Sequence, residues 1–106
     1  MSTAHDIGQV IAHRELLYTA PDGTRSPVLL ELGAPRRDPQ GPDWSCPCRI
    51  TGHPDISDRV TEIFGVDPLQ ALQLALARFP AELNGATGLT FLGGTDLMLG
   101  DGHRAP

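Results

Sequence analysis

Apolar and polar positions alternate through the first half of the chain, and apolar positions recur at three- and four-residue steps in one stretch of the second half. The run QVIAHRELLY from Gln9 to Tyr18 is rich in β-branched and aromatic residues. The cluster Thr19 to Ser26 that follows it contains Pro21-Asp22-Gly23, three turn formers in succession. A strand, a turn and a second strand are predicted. In Pro27 to Gly33 the two-residue period puts Val28, Leu30 and Leu32 on one face, with Leu29 and Glu31 opposite. A loop rich in Pro, Asp and Gly runs from Ala34 to Asp43. Beyond it Trp44, Cys46, Cys48 and Ile50 share one face of a third strand, with Ser45, Pro47, Arg49 and Thr51 on the other. Pro47 has no N–H to give a ladder, so this strand is expected at an edge, or with residue 47 turned away from its neighbour.

Asp55 to Phe64 fits two periods, because Ile56, Val60, Ile63 and Phe64 have helical spacing while RVTEIF is β-rich. We read it as a strand. Asp67-Pro68-Leu69-Gln70 then supplies an N-cap, a proline at the first helical position and a glutamine three residues after the cap, a helix-start signature. Leu69, Leu72, Leu76, Phe79 and Leu83 form one apolar stripe, expected to pack on the sheet with Leu76 at its buried centre. Pro80 is expected to kink or break the last turns, Asn84-Gly85 to end the helix, and Leu89 to Leu92 to add a short strand.

The order β-β-β-β-α with a short final β predicts an α+β fold, an antiparallel sheet of about four strands with one main helix on one face. At 106 residues the chain suits a single domain. Its core is expected over residues 9–92, with flexible tails at 1–8 and 94–106.

Composition narrows the function classes. Forty per cent hydrophobic and 20% charged residues are globular values. All eight basic residues are arginine and the net charge is −5, so the basic stripe that nucleic acid requires is missing. The lysine-free, Ala/Gly/Pro/Arg-rich composition suggests a GC-rich bacterial genome. With no basic start followed by an apolar run, and no membrane-length apolar stretch, a cytoplasmic location with reduced thiols is expected, the mature chain starting at Met1.

The residues Trp44-Ser-Cys46-Pro-Cys-Arg-Ile50-Thr-Gly52 and Gly65-Val-Asp67-Pro-Leu69-Gln70-Ala71-Leu72 resemble a family of small uncharacterised bacterial proteins. That family carries a W-x-C-x-x-x-I-x-G strand and a G-x-D-x-L-Q-A-L helix start. Arg14-x-Leu16-x-Tyr18 and Asp22-Gly23 fit as well, so the similarity spans residues 10–92. The family has no assigned activity; the resemblance implies one compact domain and supplies no catalytic residues. It implies an aromatic residue where this chain has Cys48, so chemistry needing both cysteines would be peculiar to this protein.

Cys46 and Cys48 fall on one strand face with His53 five residues on, a partial soft-metal set that lacks a fourth ligand. The plainer reading is two small apolar residues filling core space. Carboxylate pairs are available as Asp55/Asp58, or as Glu15/Glu31 facing each other across the first hairpin, but no nucleophile or cofactor loop accompanies them. His13 and Glu15 share a strand face. Asp67 and Gln70 are explained by capping, and Gly93-Gly94 by a turn. Trp44 is either a core anchor or, with Arg49 and Tyr18, part of a partner surface if the three share a face.

These residues lead to a non-catalytic protein-interaction domain, immunity- or inhibitor-like or self-associating, with no cofactor, nucleic acid or membrane partner. A thiol or soft-metal module on Cys46, Cys48 and His53 is the alternative.

Overall fold

A computed structural model describes residues 6–100; residues 1–5 and 101–106, with His5 and His103, lie outside the described part. The elements in chain order are β1 (Val10–Thr19), β2 (Arg25–Gly33), β3 (Arg36–Arg37), β4 (Trp44–Thr51), β5 (Thr61–Gly65), α1 (Pro68–Leu83) and β6 (Leu89–Thr90). They form one six-stranded sheet with the helix packed against it, an α+β arrangement with more strands than the four expected.

The first hairpin follows its turn chemistry. Asp22 Oδ1 accepts from the Thr24 N–H at 2.9 Å, Gly23 takes φ +89°, and β1 and β2 pair from Thr19↔Arg25 onward. Val28, Leu30 and Leu32 are buried, as the alternation predicts. Residues 55–64 resolve into a loop followed by a strand over Thr61–Gly65.

The edge expected at the Trp44 strand is corrected, because β4 is central. Cys48 pairs with Leu32 and with Thr61, and Trp44 with Arg37 and with Gly65, so β2 and β3 both lie on the side of β4 opposite β5. β3 resumes the course of β2 after a break at which residues 33–35 face only residues 46 and 47 of β4. This is a bulge in the ladder, and Pro47 sits at it, where the pairing is already interrupted. Ser45 and Pro47 are buried on the face away from the helix. Ile7, in the stretch expected as a tail, is 7% exposed there, and with Pro47 it crowds Gly33 so closely that a Cβ would lie 2.6 Å from the Pro47 ring.

α1 begins as its sequence predicts. The Asp67 carboxylate accepts from the Gln70 N–H, and Gln70 Oε1 accepts from the Val66 N–H, both at 2.8 Å. The predicted stripe holds in part, with Phe79 and Leu83 buried and Leu72 packed against the core, but its other two leucines are replaced by alanines on the buried face. Ala71, Ala75, Phe79, Pro80 and Leu83 are buried, whereas Leu69 is 62% and Leu76 49% exposed. Close approach selects the alanines. Gly65, at the end of β5, lies so near the helix that a Cβ on it would come 2.8 Å from the Ala71 Cα. Leucines on that face would hold helix and sheet apart. Pro80 does not break the helix, which runs on to Leu83. The carbonyl deprived of its donor belongs to Leu76, on the half-exposed side, where water can satisfy it.

α1 covers mainly β4 and β5. Over β1 and β2 the same sheet face is covered by the chain after the helix, whose Leu89 and Leu97 join the core. Among the described residues no helix is long and apolar enough to cross a membrane.

Candidate interaction surface

The structure disperses the residues singled out for soft-metal chemistry. Cys46 is buried and its thiol donates to the Gly33 carbonyl at 3.2 Å. Cys48 is buried beside Phe79, Arg78 and Glu82, and burial pushes its thiol up to about 11; burial also raises Cys46. Both cysteines are free. His53 Nδ1 accepts from the Asp55 N–H at 3.1 Å, which leaves Nε2 as the protonated nitrogen, donating to the Thr87 carbonyl at 3.2 Å. The ring stands edge-on to Tyr18 at 4.7 Å between centroids. His53 thus ties the loop after β4 to the chain after α1, with both nitrogens engaged. Among the described residues no three His, Cys, Asp or Glu side chains are grouped to hold a metal ion.

Trp44, Arg49 and Tyr18 do not form one surface. Arg49 lies on the helix-free face, where its Nε and Nη2 reach Glu31 Oε1 at 2.9 and 2.7 Å. Tyr18 and Trp44 belong with the core on the covered side, and the Arg37 guanidinium sits 5.7 Å from the Trp44 ring centre. The Glu15/Glu31 pairing is also corrected, because the register sets Glu31 opposite His13 and Arg49, and Glu15 opposite Leu29. His13 and Glu15 do share the helix-free face, while Asp55 and Asp58 are exposed loop residues.

An open strand edge lies elsewhere. β1 pairs with β2 on one side, with a register shift between Val10 and Ala12, but on the other side it meets only β6, at Leu17 and Tyr18. Among the described residues nothing pairs with the outer edge from Val10 to Leu16. The Thr19 N–H points outward, donating to the Gly88 carbonyl at 2.9 Å. Backbone groups alternate sides along a strand, so the N–H and C=O of Glu15 and His13 point outward as well. Val10 and Ile11 are exposed at 37% and 48%.

Beside this edge stands the segment held by Arg14. Its Nη1 donates to the carbonyls of Leu97 at 2.9 Å and Met98 at 2.6 Å, and its guanidinium lies 4.5 Å above the centre of the Phe91 ring. The chain from residue 94, expected as a tail, is therefore seated on β1 as far as Met98. Phe91 and Gly94 exchange backbone hydrogen bonds around Leu92-Gly93, and both turn residues have positive φ, as a type I′ hairpin turn requires. Leu92 adopts φ +52° and is 86% exposed; Met98 has φ +55° and is 62% exposed. Two apolar side chains thus project from backbone conformations they rarely adopt. Between α1 and Met98–Gly100 runs a groove of about 410 Å³ floored by Leu30 and Leu32.

Sequence reasoning missed this edge, because edge status depends on which strands pair and not on the strand's own composition. The one available signal was the apolar run Val10-Ile11-Ala12, which breaks alternation where β1 begins.

Residues 12–96, from the open edge to the residue before Leu97, match a family described as a domain of unknown function, DUF6968. The chain belongs to that family. No curated protein and no solved structure matches it.

Proposed function

We propose that this domain is a non-catalytic protein-interaction module that takes up a partner by strand addition along the outer edge of β1. The open Val10–Leu16 edge carries the reading, since its outward N–H and C=O groups form a ready template for another extended chain. Exposed Val10, Ile11, Leu92 and Met98 around it add apolar area that association would remove from water. A cytoplasmic setting and an inhibitor- or immunity-like role belong to the same proposal, motivated by size and the net charge of −5.

The thiol or soft-metal alternative gains no support from this geometry, in which His53 holds two backbone partners and both thiols are buried.

The test is capture on immobilised full-length chain, wild type against the double variant Val10→Lys/Ile11→Lys, with amide exchange mapped on the captured complex. Protection at His13 and Glu15, with capture lost in the variant, is the expected result. Unchanged capture, or protection confined to α1, overturns the proposal.

A further inference from the structure

We infer that the strand added to β1 is the β1 of a second copy of this chain, running antiparallel to it about a two-fold axis at His13. This rests on the strand-addition reading and supplies its partner.

His13 stands at the middle of the open stretch with its N–H and C=O turned outward, so a two-fold axis there pairs it with its own counterpart and sets the neighbouring Ala12 and Arg14 of the two copies side by side. Residues directly opposite in an antiparallel pair share a face, which fixes the contacts. On the helix-free face His13 meets the partner's His13 and stands diagonal to the partner's Glu15. On the covered face Ala12 meets the partner's Arg14, and the pairing stops short of Val10, where β1 shifts register against β2. Arg14 is the crowded position, stacked over Phe91 and bonded to the Leu97 and Met98 carbonyls. The residue brought against it is the smallest side chain of the stretch.

Neighbouring registers are worse. Moving the axis to Arg14 sets two guanidiniums directly against each other, and moving it to Ala12 centres the pairing next to the register shift between Val10 and Ala12. With the axis at His13, no two carboxylates and no two guanidiniums face each other. The outward N–H and C=O groups of His13 then bond to those of its counterpart, and the six-stranded sheet continues across the axis into a second one.

Sedimentation of the full chain over a concentration series should show a reversible monomer–dimer equilibrium. His13→Cys should close a disulfide across the axis under mild oxidation. The Cα separation of a hydrogen-bonded antiparallel pair, about 5.5 Å, lies within the range such a bridge needs, and the native thiols are buried. Glu15→Cys, two residues away from the axis and so not opposite its own counterpart, should not crosslink. His13→Pro removes an outward N–H and no donor to β2, so it should weaken the dimer roughly tenfold or more with the thermal transition of the monomer retained.

A chain that stays monomeric at every concentration overturns the inference, as does a dimer whose crosslink forms through Glu15→Cys and not His13→Cys. A monomer whose His13 and Glu15 amides become protected on a different protein overturns the second copy and leaves strand addition standing.

Discussion

The two halves of the covered sheet face are closed by different means. Over β4 and β5 a regular helix lies close to the strands through Ala71, Ala75, Phe79 and Leu83, and Gly65 removes the last obstacle to contact. Over β1 and β2 the cover is irregular chain, with Leu89 and Leu97 as apolar anchors and Arg14 bonded to two carbonyls. The first half is held by burial, which resists solvent and salt. The second adds one charged side chain to its two apolar anchors, and it borders the open edge at which we place the partner. The part of the core next to the proposed interface is thus the part in which polar contacts supplement burial.

Substitutions should separate the halves. Phe79→Ala removes a nearly fully buried ring and should cost about 3–5 kcal/mol in urea denaturation. Leu76→Ala, on the half-exposed side of the same helix, should cost less than about 1 kcal/mol; a larger loss would restore the leucine stripe as the packed face. Raising the pH should act on the same half. The folded Cys48 thiol is held up to about 11, so the folded state retains a proton that the unfolded chain releases first. Stability is therefore full below the ordinary thiol range and falls as pH rises toward 11, by about 2 kcal/mol. Cys48→Ala should flatten that slope, and a slope unchanged by the substitution would assign it to another group.

On the other half, Arg14→Ala should cost about 1–2 kcal/mol. Amide exchange should accelerate over residues 89–98 and remain unchanged in α1. Uniform acceleration would mean that the two halves open together and that the contrast between them is only geometric. The smallest effects concern local geometry. Asp67→Ala should cost about 1 kcal/mol by exposing the Gln70 N–H. Leu92→Asn, which supplies the Asn-Gly pair favoured in type I′ turns, should stabilise by about 0.5–1 kcal/mol, with a thermal shift as the readout.

What the sequence made legible follows the same division. The first hairpin, the inner face of β2 and the Asp67–Gln70 helix start are encoded within a few residues of themselves and appear in the structure, while the strand read over Asp55 to Phe64 forms only over Thr61–Gly65. The helix stripe is legible at Leu72, Phe79 and Leu83 but not at Leu69 and Leu76, because apolar size argues for leucine while the contact distance, set by Gly65 on another element, argues for Ala71 and Ala75. Pro47 argues for an edge or for a residue turned away from its neighbour; β4 is no edge, and Pro47 sits where a bulge interrupts the ladder. The surface drawn from Trp44, Arg49 and Tyr18 failed for want of a shared face. The open edge of β1 and its Arg14 tether could not be read at all, because both depend on residues about eighty positions away.

That separation also sets an order in time. β4, β5 and α1 are consecutive and can collapse on one another with little loop to close, whereas Arg14 must find Leu97 across 83 intervening steps of chain. The C-terminal segment should therefore dock after the barrier to folding has been crossed. Arg14→Ala would then leave the refolding rate nearly unchanged and express its whole effect as faster unfolding.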